Sequence, residues 1–543
     1  MSIDRVPVRR ALLSASDRTG LVDLARALVR HGCEIVASGG TRRALSEAGI
    51  ESVPVERVSG APEAFGGRMK TLSFGIASAL LFHRERDAEE AARLGIQSID
   101  LVACNLYPFA RAWRDGVEDD ALVEQIDIGG PTLLRAAAKN ASHVAVLCDP
   151  AAYPAVIAEL DASDGALCLD TRRALARAAF HHTADYDAMI AQAFDERAGV
   201  ASLNLVLESG RALRYGENPH QKGWVYRMRG AHASLADVEQ LHGEALSYNN
   251  FGDVQAALKA VADLEGSACA VVKHGNPCGL ATAPTQRRAL EAAWAGDPVS
   301  AFGSVIAFSR PLEPDTAAFF ELSHPDRSRR RFVEVVVAPG VDADALSLLA
   351  VHPRLRVLVF DPARLRDTGV QGLPAGWQVR FLAGACLVQE PDRTLQDRFE
   401  PVTRHAPAGD PGLWTFGLAA VRQVRSNAIV VVRRLPDATL QLLGMGAGQP
   451  NRVESVRIAV SKCRETLLAE HPGDETAVRE AMGRACLVSD AFFPFPDNIE
   501  VLAQAGLRTV LQPGGSLRDR LVIQRAEDLG VAMLVTGLRH FRH

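Results

Sequence analysis

Paired cysteines are missing from this 543-residue chain. It has nine, an odd number, and no two stand in a C-x-x-C spacing. That excludes a sequence-legible zinc cage and argues against a disulfide framework. Long apolar runs are missing too: none approaches the ~18 residues of a membrane span. The first residues set Asp4, Arg9 and Arg10 around a short apolar stretch, which does not read as a signal peptide. Nor is there an excess of one charge. Sixty Lys and Arg against 65 Asp and Glu leave a net charge of −5, without the basic footprint of a nucleic-acid binder. Hydrophobics at 48% and charged residues at 23% exclude a disordered chain. What remains is a soluble, cytoplasmic protein of a reducing compartment, an enzyme, with no nucleic-acid and no membrane partner. At ~150 residues per domain it holds about three or four domain-sized units.

The first 200 residues alternate short apolar runs with helical patterns. Ala11–Leu13 reads as a strand, and Leu21, Leu24, Ala25 and Leu28 fall at helical spacing. Glu34–Ala37, Val53–Val55, Ile99–Cys104 and Val144–Leu147 read as further strands, with helices through Leu45, from Pro131 to Lys139 and over Thr171–Phe194. Strand–helix alternation predicts a parallel sheet with right-handed crossovers. The pattern resets at Ala198–Ser202, and a new strand is expected from Leu203 to Leu207. Domains are therefore placed at 1–198 and 199–543. The second part offers strands at Ala268–Val272, Ser304–Phe308, Val333–Val337, Ala428–Val432, Thr509–Leu511 and Ala532–Val535. Arg354–Gln378, with its Pro and Gly, divides it into lobes near 199–370 and 371–543. No internal repeat is visible.

Two loops in the first part, Ser14-Ala15-Ser16-Asp17 and Ser38-Gly39-Gly40-Thr41, each follow a strand and precede a helix. Open α/β sheets bind ligands there, and a helix N-terminus favours an anion. Either loop alone is equally a turn or a cap; the two together favour phosphate. Gly66-Gly67-Arg68-Met69-Lys70-Thr71 sets two cations and a hydroxyl behind a glycine pair. Asn105-Leu106-Tyr107-Pro108 ends a strand with a hydroxyl able to donate a proton or cap the sheet. Asp127 stands just before a helix start and Lys139 at that helix's end, where dipole pairing alone would favour each.

In the second part the sharpest segment is Val271-Val272-Lys273-His274-Gly275-Asn276-Pro277-Cys278-Gly279, in which a strand delivers Lys and His to a turn expected at Asn276-Pro277. His suits a general base near neutral pH, and Lys stabilises developing negative charge. A zinc-deaminase reading fails because no second cysteine follows Cys278. Arg214-Tyr215-Gly216-Glu217-Asn218 is too polar for core. Arg425-Ser426-Asn427, a Gly-rich turn at Gly444–Gln449 before Arg452, the aromatic Ser489–Phe495, Gln512–Ser516 and a docked basic tail, Leu538–His543, complete the set.

RYGENPHQ, LSYNN, KHGNPCG, DPVSAFG, GAGQ, SDAFFPF, QPGGS and RHFRH, in this order, resemble the bifunctional family that joins phosphoribosylaminoimidazolecarboxamide formyltransferase to inosine monophosphate (IMP) cyclohydrolase. The N-terminal SASDRTG, ASGGT, NLYPF and EQIDIGG support the second activity. The match spans essentially the whole chain. The resemblance implies the last two steps of purine biosynthesis. The 5-amino group of the aminoimidazole carboxamide ribonucleotide (AICAR) takes the formyl group of the co-substrate 10-formyltetrahydrofolate. The product, FAICAR, then cyclises to IMP with loss of water.

By resemblance, His274 is the base, Lys273 steadies the tetrahedral intermediate and Asn427 orients the carboxamide. Arg214, Tyr215 and Arg539 bind nucleotide, Gly303, Glu334 and Arg452 line the site, and Phe492, Asp497 and Ser516 face the folate. Lys70, Tyr107, Asp127 and Lys139 match the cyclohydrolase site. Ser14, Ser16, Ser38, Gly39, Gly40, Thr41, Arg68, Thr71 and Asn105 match its substrate contacts. The family fold implied is an N-terminal methylglyoxal-synthase-like α/β domain followed by two cytidine-deaminase-like lobes without zinc. No metal is implied, and the formyl-transfer site is shared across a homodimer. Two segments depart from the family. Where it carries His-Pro and then His-Gly-Gly, this chain has Ser73–Ala79, and Pro450-Asn451 precedes Arg452. The first departure leaves a second reading, a monofunctional formyltransferase with an impaired N-terminal partner.

Overall fold

A computed structural model describes residues 4–65, 68–367 and 376–543. The chain divides into two compact units, Met1–Asn204 and Leu205–His543.

The first unit is built on five parallel strands in the order Val53–Pro54, Glu34–Ala37, Arg10–Ser14, Leu101–Cys104, Ala145–Leu147. These strands read as near-continuous apolar runs because both faces are covered. Leu12, Val36, Val102 and Val146 point to one core, shared with Phe74–Leu81 and Gly129–Lys139. Leu13, Ile35, Ala103 and Leu147 point to the other, under Leu21–Arg30 and Tyr153–Ala162. The chain starts at the central strand, builds outward one way through Glu34–Ala37, then returns to the other side through Leu101–Cys104. The reversal opens a crevice at the C-terminal ends of Arg10–Ser14 and Leu101–Cys104.

The second unit carries a twelve-stranded sheet. Outward from the middle, one half runs Asn276–Ala283, Ser267–Lys273, Val305–Phe308, Val335–Ala338, Arg356–Val359, Glu239–His242. The other half runs Leu440–Gly446, Ile429–Arg434, Cys486–Ser489, Thr509–Gln512, Ala532–Val535, Glu400–Pro401. Within each half the successive pairings are antiparallel, antiparallel, parallel, parallel, antiparallel, with the same chain order. The unit is thus a structural duplication, where the sequence shows no repeat. Pairing sense depends on apolar pattern and connection length, which unrelated side chains satisfy equally. The halves join through one antiparallel register, Ala281 to Gln441 and Thr282 to Leu440.

That junction relates the halves by an in-plane reversal. One edge of the sheet therefore collects the C-terminal ends of the parallel strands of the second half and the N-terminal ends of those of the first.

Several expectations are corrected. The strand expected at Leu203–Leu207 runs instead from Leu207 to Ala212. The turn expected at Asn276-Pro277 is at His274-Gly275, and Asn276 already opens a strand. Gly444 and Gly446 lie in a strand, not a turn. Helix Arg452–Glu470 lies so close that a Cβ on Gly446 would meet the Ser455 carbonyl oxygen at 2.0 Å, and one on Gly444 the Ala459 carbonyl at 2.2 Å. Arg354–Gln378 contains the strand Arg356–Val359; the lobe division placed at 370/371 lies outside the described residues.

Gly446→Ala is expected to cost about 1–3 kcal/mol by overpacking. Thermal melting checks it, with a lowered transition and loss of activity through displacement of Arg452.

Candidate active sites

In the crevice of the first unit, Asn105 ties the loops together. Its Oδ1 accepts the amides of Ser16 (2.6 Å) and Asp17 (2.9 Å), and its Nδ2 donates to the Asp17 carbonyl at 2.6 Å. Thr41 Oγ1 accepts the Ala15 amide at 2.9 Å, and the Ser14 and Ser38 hydroxyls meet at 3.0 Å. Gly39 and Gly40 stay exposed at the start of helix Gly39–Glu47, leaving their amides for an anion. Two cations stand over them. Lys70 Nζ lies 3.8 Å from where a Gly39 Cβ would be, and Arg18 Nη2 2.8 Å from the Gly40 position. Arg18, in the SASDRTG segment, escaped the motif reading. So did Glu63, which pairs with Lys70 at 3.3 Å.

Beyond them stand Tyr107, Asp127 and Thr71. Asp127 accepts the Gly130 amide at 2.7 Å, and burial pushes its carboxyl above the usual range. Burial first, then the nearby Asp127 and Glu63 charges, raise the Tyr107 phenol and keep it a neutral proton donor. Thr71 Oγ1 lies 2.7 Å from a Gly129 Cβ position. Arg68 pairs with Glu124 in solvent. Gly66 and Gly67 lie outside the described residues. Ser16 is exposed, its amide held by Asn105. Lys139 is not brought to this group. It ends helix Gly129–Lys139, about 15 Å from the Asp127 end at 1.5 Å per residue. The altered Ser73–Ala79 forms an ordinary helix start, Ser73 Oγ accepting the Ile76 amide at 3.2 Å.

In the second unit, the motifs gather along the one edge described above. Lys273 Nζ donates to the Phe302 carbonyl at 2.9 Å, beside Gly303. His274 is exposed, with a left-handed φ of 52°. Glu334 accepts from Asn250 Nδ2 at 3.0 Å. Arg214 meets Glu244 at 2.8 Å, its guanidinium over the Tyr215 ring, and Arg356 approaches the same carboxylate at 3.5 Å.

Next along the edge, Asn427 Oδ1 accepts from Arg452 Nη2 at 2.8 Å, while its Nδ2 donates to the Gln449 carbonyl at 2.8 Å. Arg452 also holds buried Asp490 and donates to Ser489 Oγ at 3.1 Å. Asn451 caps its helix by accepting the Val453 amide at 3.1 Å, so Pro450-Asn451 is a competent helix entry. The two groups touch: Asn276 Oδ1 accepts the Arg425 amide at 3.1 Å.

Phe492 follows Asp490. Asp497 Oδ1 accepts the Asn498 amide at 2.8 Å, and Ser516 Oγ the Arg518 amide at 3.1 Å. The tail is docked, with His540 buried and donating its amide to the Asp490 carbonyl at 2.9 Å. Arg539 stacks over Phe541 at 4.3 Å and lines a cavity of about 550 Å³ with Asp392 and Thr394. Cys278, pushed up to about 12 by burial, remains a thiol. Among the described residues, no group of three or more His, Cys, Asp or Glu side chains is placed to hold a metal ion.

The AICARFT/IMPCHase bienzyme family model matches residues 137–462, more than half of the chain. The chain belongs to this bienzyme family. An MGS-like domain model matches residues 20–132, within the first unit. Relatives named "Bifunctional purine biosynthesis protein PurH" are similar end to end. That of Sorangium cellulosum is 44% identical over 99% of this chain and 100% of its own. That of Acidithiobacillus ferrooxidans is 42% identical over 99% of both. A crystal structure of ForH, 37% identical, covers 34% of this chain and 98% of its own with a TM-score of 0.31. The bienzyme's formyltransferase activity implies a formyl-folate co-substrate.

Asn105→Ala is expected to weaken IMP binding at least about tenfold, at about 1 kcal/mol for each lost loop hydrogen bond. Calorimetric titration with IMP checks it.

Proposed function

We propose that the second unit, Leu205–His543, transfers the formyl group and that the first, Met1–Asn204, closes the ring. The bienzyme catalyses both steps: formyl transfer to AICAR, giving FAICAR, and cyclodehydration of FAICAR to IMP, which places it in purine biosynthesis. The donor in this reading is 10-formyltetrahydrofolate.

The observation that carries the reading is the single edge of the twelve-stranded sheet on which Lys273, His274 and Asn427 all stand. The AICAR amine is a poor nucleophile because its lone pair is delocalised into the ring. His274 takes the proton as the amine attacks the formyl carbon. Lys273 stabilises the tetrahedral oxyanion, which collapses with release of the folate nitrogen. Asn427, held by Arg452, orients the carboxamide. Arg214, Tyr215 and Arg539 hold the nucleotide, Gly303 and Glu334 line its site, and Phe492, Asp497 and Ser516 face the folate.

For cyclisation, Ser14, Ser16, Ser38, Gly39, Gly40 and Thr41 cradle the phosphate, with Arg68, Thr71 and Asn105 around the substrate. Lys70, Tyr107 and Asp127 move protons as water leaves. Lys139 is left out of this step because of its place at the far helix end.

The assembly in this reading is a homodimer in the cytoplasm. Glu334 and Asn427 stand at strands five apart in the sheet, about 24 Å at 4.8 Å per strand, beyond one small substrate. A second copy would bring the two sets together. The exposed hairpin Gln378–Leu382 with Ala385–Gln389, carrying Phe381 and Leu387, supports such a partner, since a lone two-stranded ribbon is marginal.

His274→Ala is expected to lower formyl transfer at least about 100-fold while leaving cyclisation of supplied FAICAR unchanged; Lys70→Ala does the reverse. Paired assays for FAICAR formed and IMP formed decide it, and full transfer by His274→Ala would discard the assignment. A second expectation concerns pH. Because burial raises the Asp127 carboxyl, the ionised form that accepts protons is lost as pH falls, at a midpoint above that of an ordinary aspartate. Cyclisation should show that acid limb, and Asp127→Asn should abolish it.

A further inference from the structure

The left-handed turn at His274 needs something to hold it. Only glycine visits φ near +60° freely, yet His274 sits at 52° and Gly275 at 73°. The support comes from helix Tyr248–Ala262. Its start is locked by a reciprocal cap: Ser247 Oγ accepts the Asn250 amide at 3.2 Å, and Asn250 Oδ1 accepts the Ser247 amide at 3.0 Å. Two side chains three residues apart, on one face, then reach the formyl-transfer group. Asn250 donates to Glu334 at 3.0 Å, and Asp253 Oδ1 accepts the Gly275 amide at 2.6 Å. The His274 amide is directed at the same carboxylate, which lies beside the His274 ring and Glu334. Burial raises this carboxyl, and the two amides oppose that rise.

We propose that Asp253 is a positioning residue for formyl transfer, its carboxylate clamping the His274 and Gly275 amides so that the left-handed turn presents the imidazole in one direction. This rests on the reading of His274 as the base. Asp253 touches neither substrate. Its effect passes through the backbone, so an uncharged acceptor of the same shape should serve almost as well.

The test is steady-state formyl transfer by the full chain as Asp253→Ala, Asp253→Asn, His274→Ala and the Asp253→Ala/His274→Ala double variant. A misplaced catalytic group costs on the order of 100-fold. Asp253→Ala is therefore expected to lose about that in kcat, with KM for AICAR and for the folate within about twofold. Asp253→Asn should stay within about fivefold of the parent, since its one oxygen still accepts the Gly275 amide. The double variant should be no slower than His274→Ala alone, because residues acting as a unit are not additive. Losses that multiply, a KM rise with unchanged kcat, or an Asp253→Asn as slow as Asp253→Ala would overturn the proposal while leaving His274 as base. Full transfer by His274→Ala would overturn the underlying reading instead. If Asp253→Ala fails to fold by thermal melting, Asp253→Glu replaces it: a kcat loss above about tenfold supports the clamp, and a parental rate overturns it.

Discussion

The register of Asn276–Ala283 against Leu440–Gly446 is the constraint on which the second unit depends. Only two residue pairs make it, Ala281 with Gln441 and Thr282 with Leu440. Yet because the pairing is antiparallel, it turns one half of the sheet over relative to the other. Left as separate sheets, the halves would present chemistry at opposite strand ends. Joined this way, the ends that carry His274, Gly303 and Glu334 share an edge with those that carry Asn427, Asp490 and Phe492. The glycines of Leu440–Gly446 serve the same junction, letting helix Arg452–Glu470 lie close enough for Arg452 to reach both Asn427 and Asp490.

The first unit solves its problem differently. All five strands are parallel, so their C-terminal ends already share an edge, and the reversal of chain order opens the crevice. What remains is to fix loops that would otherwise move. Asn105 does that with three hydrogen bonds to Ser16 and Asp17, and Thr41 does it from the other side through Ala15. Phosphate binding by such a crevice needs backbone amides more than side chains. Ser73–Ala79 departs from the family pattern while the neighbouring Lys70 still faces Gly39.

Individual elements were legible wherever the pattern was local. Glu34–Ala37 and Ala532–Val535 were read to the residue, since each is a short apolar run closed by turn residues. The strands Asn276–Ala283 and Leu440–Gly446 were not, because Pro and Gly signal turns locally. Here Pro277 lies near a strand start and the glycines answer to a helix packed on them. Arg18, Glu63 and Asp253 were missed as site residues for a related reason: each earns its place through a neighbour distant in sequence, and no spacing rule exposes it. Lys139 matches a motif by position and stands at the end of helix Gly129–Lys139 opposite the Asp127 end.

By itself, then, the sequence determined the α/β class and the chemical character of each motif, because side-chain period, caps and turn residues act over a few positions. Tertiary structure alone decided the duplication, the shared edge and the companions of each candidate site residue. Those follow from strand order and register, which are set by the burial of whole faces and leave no local trace in the chain.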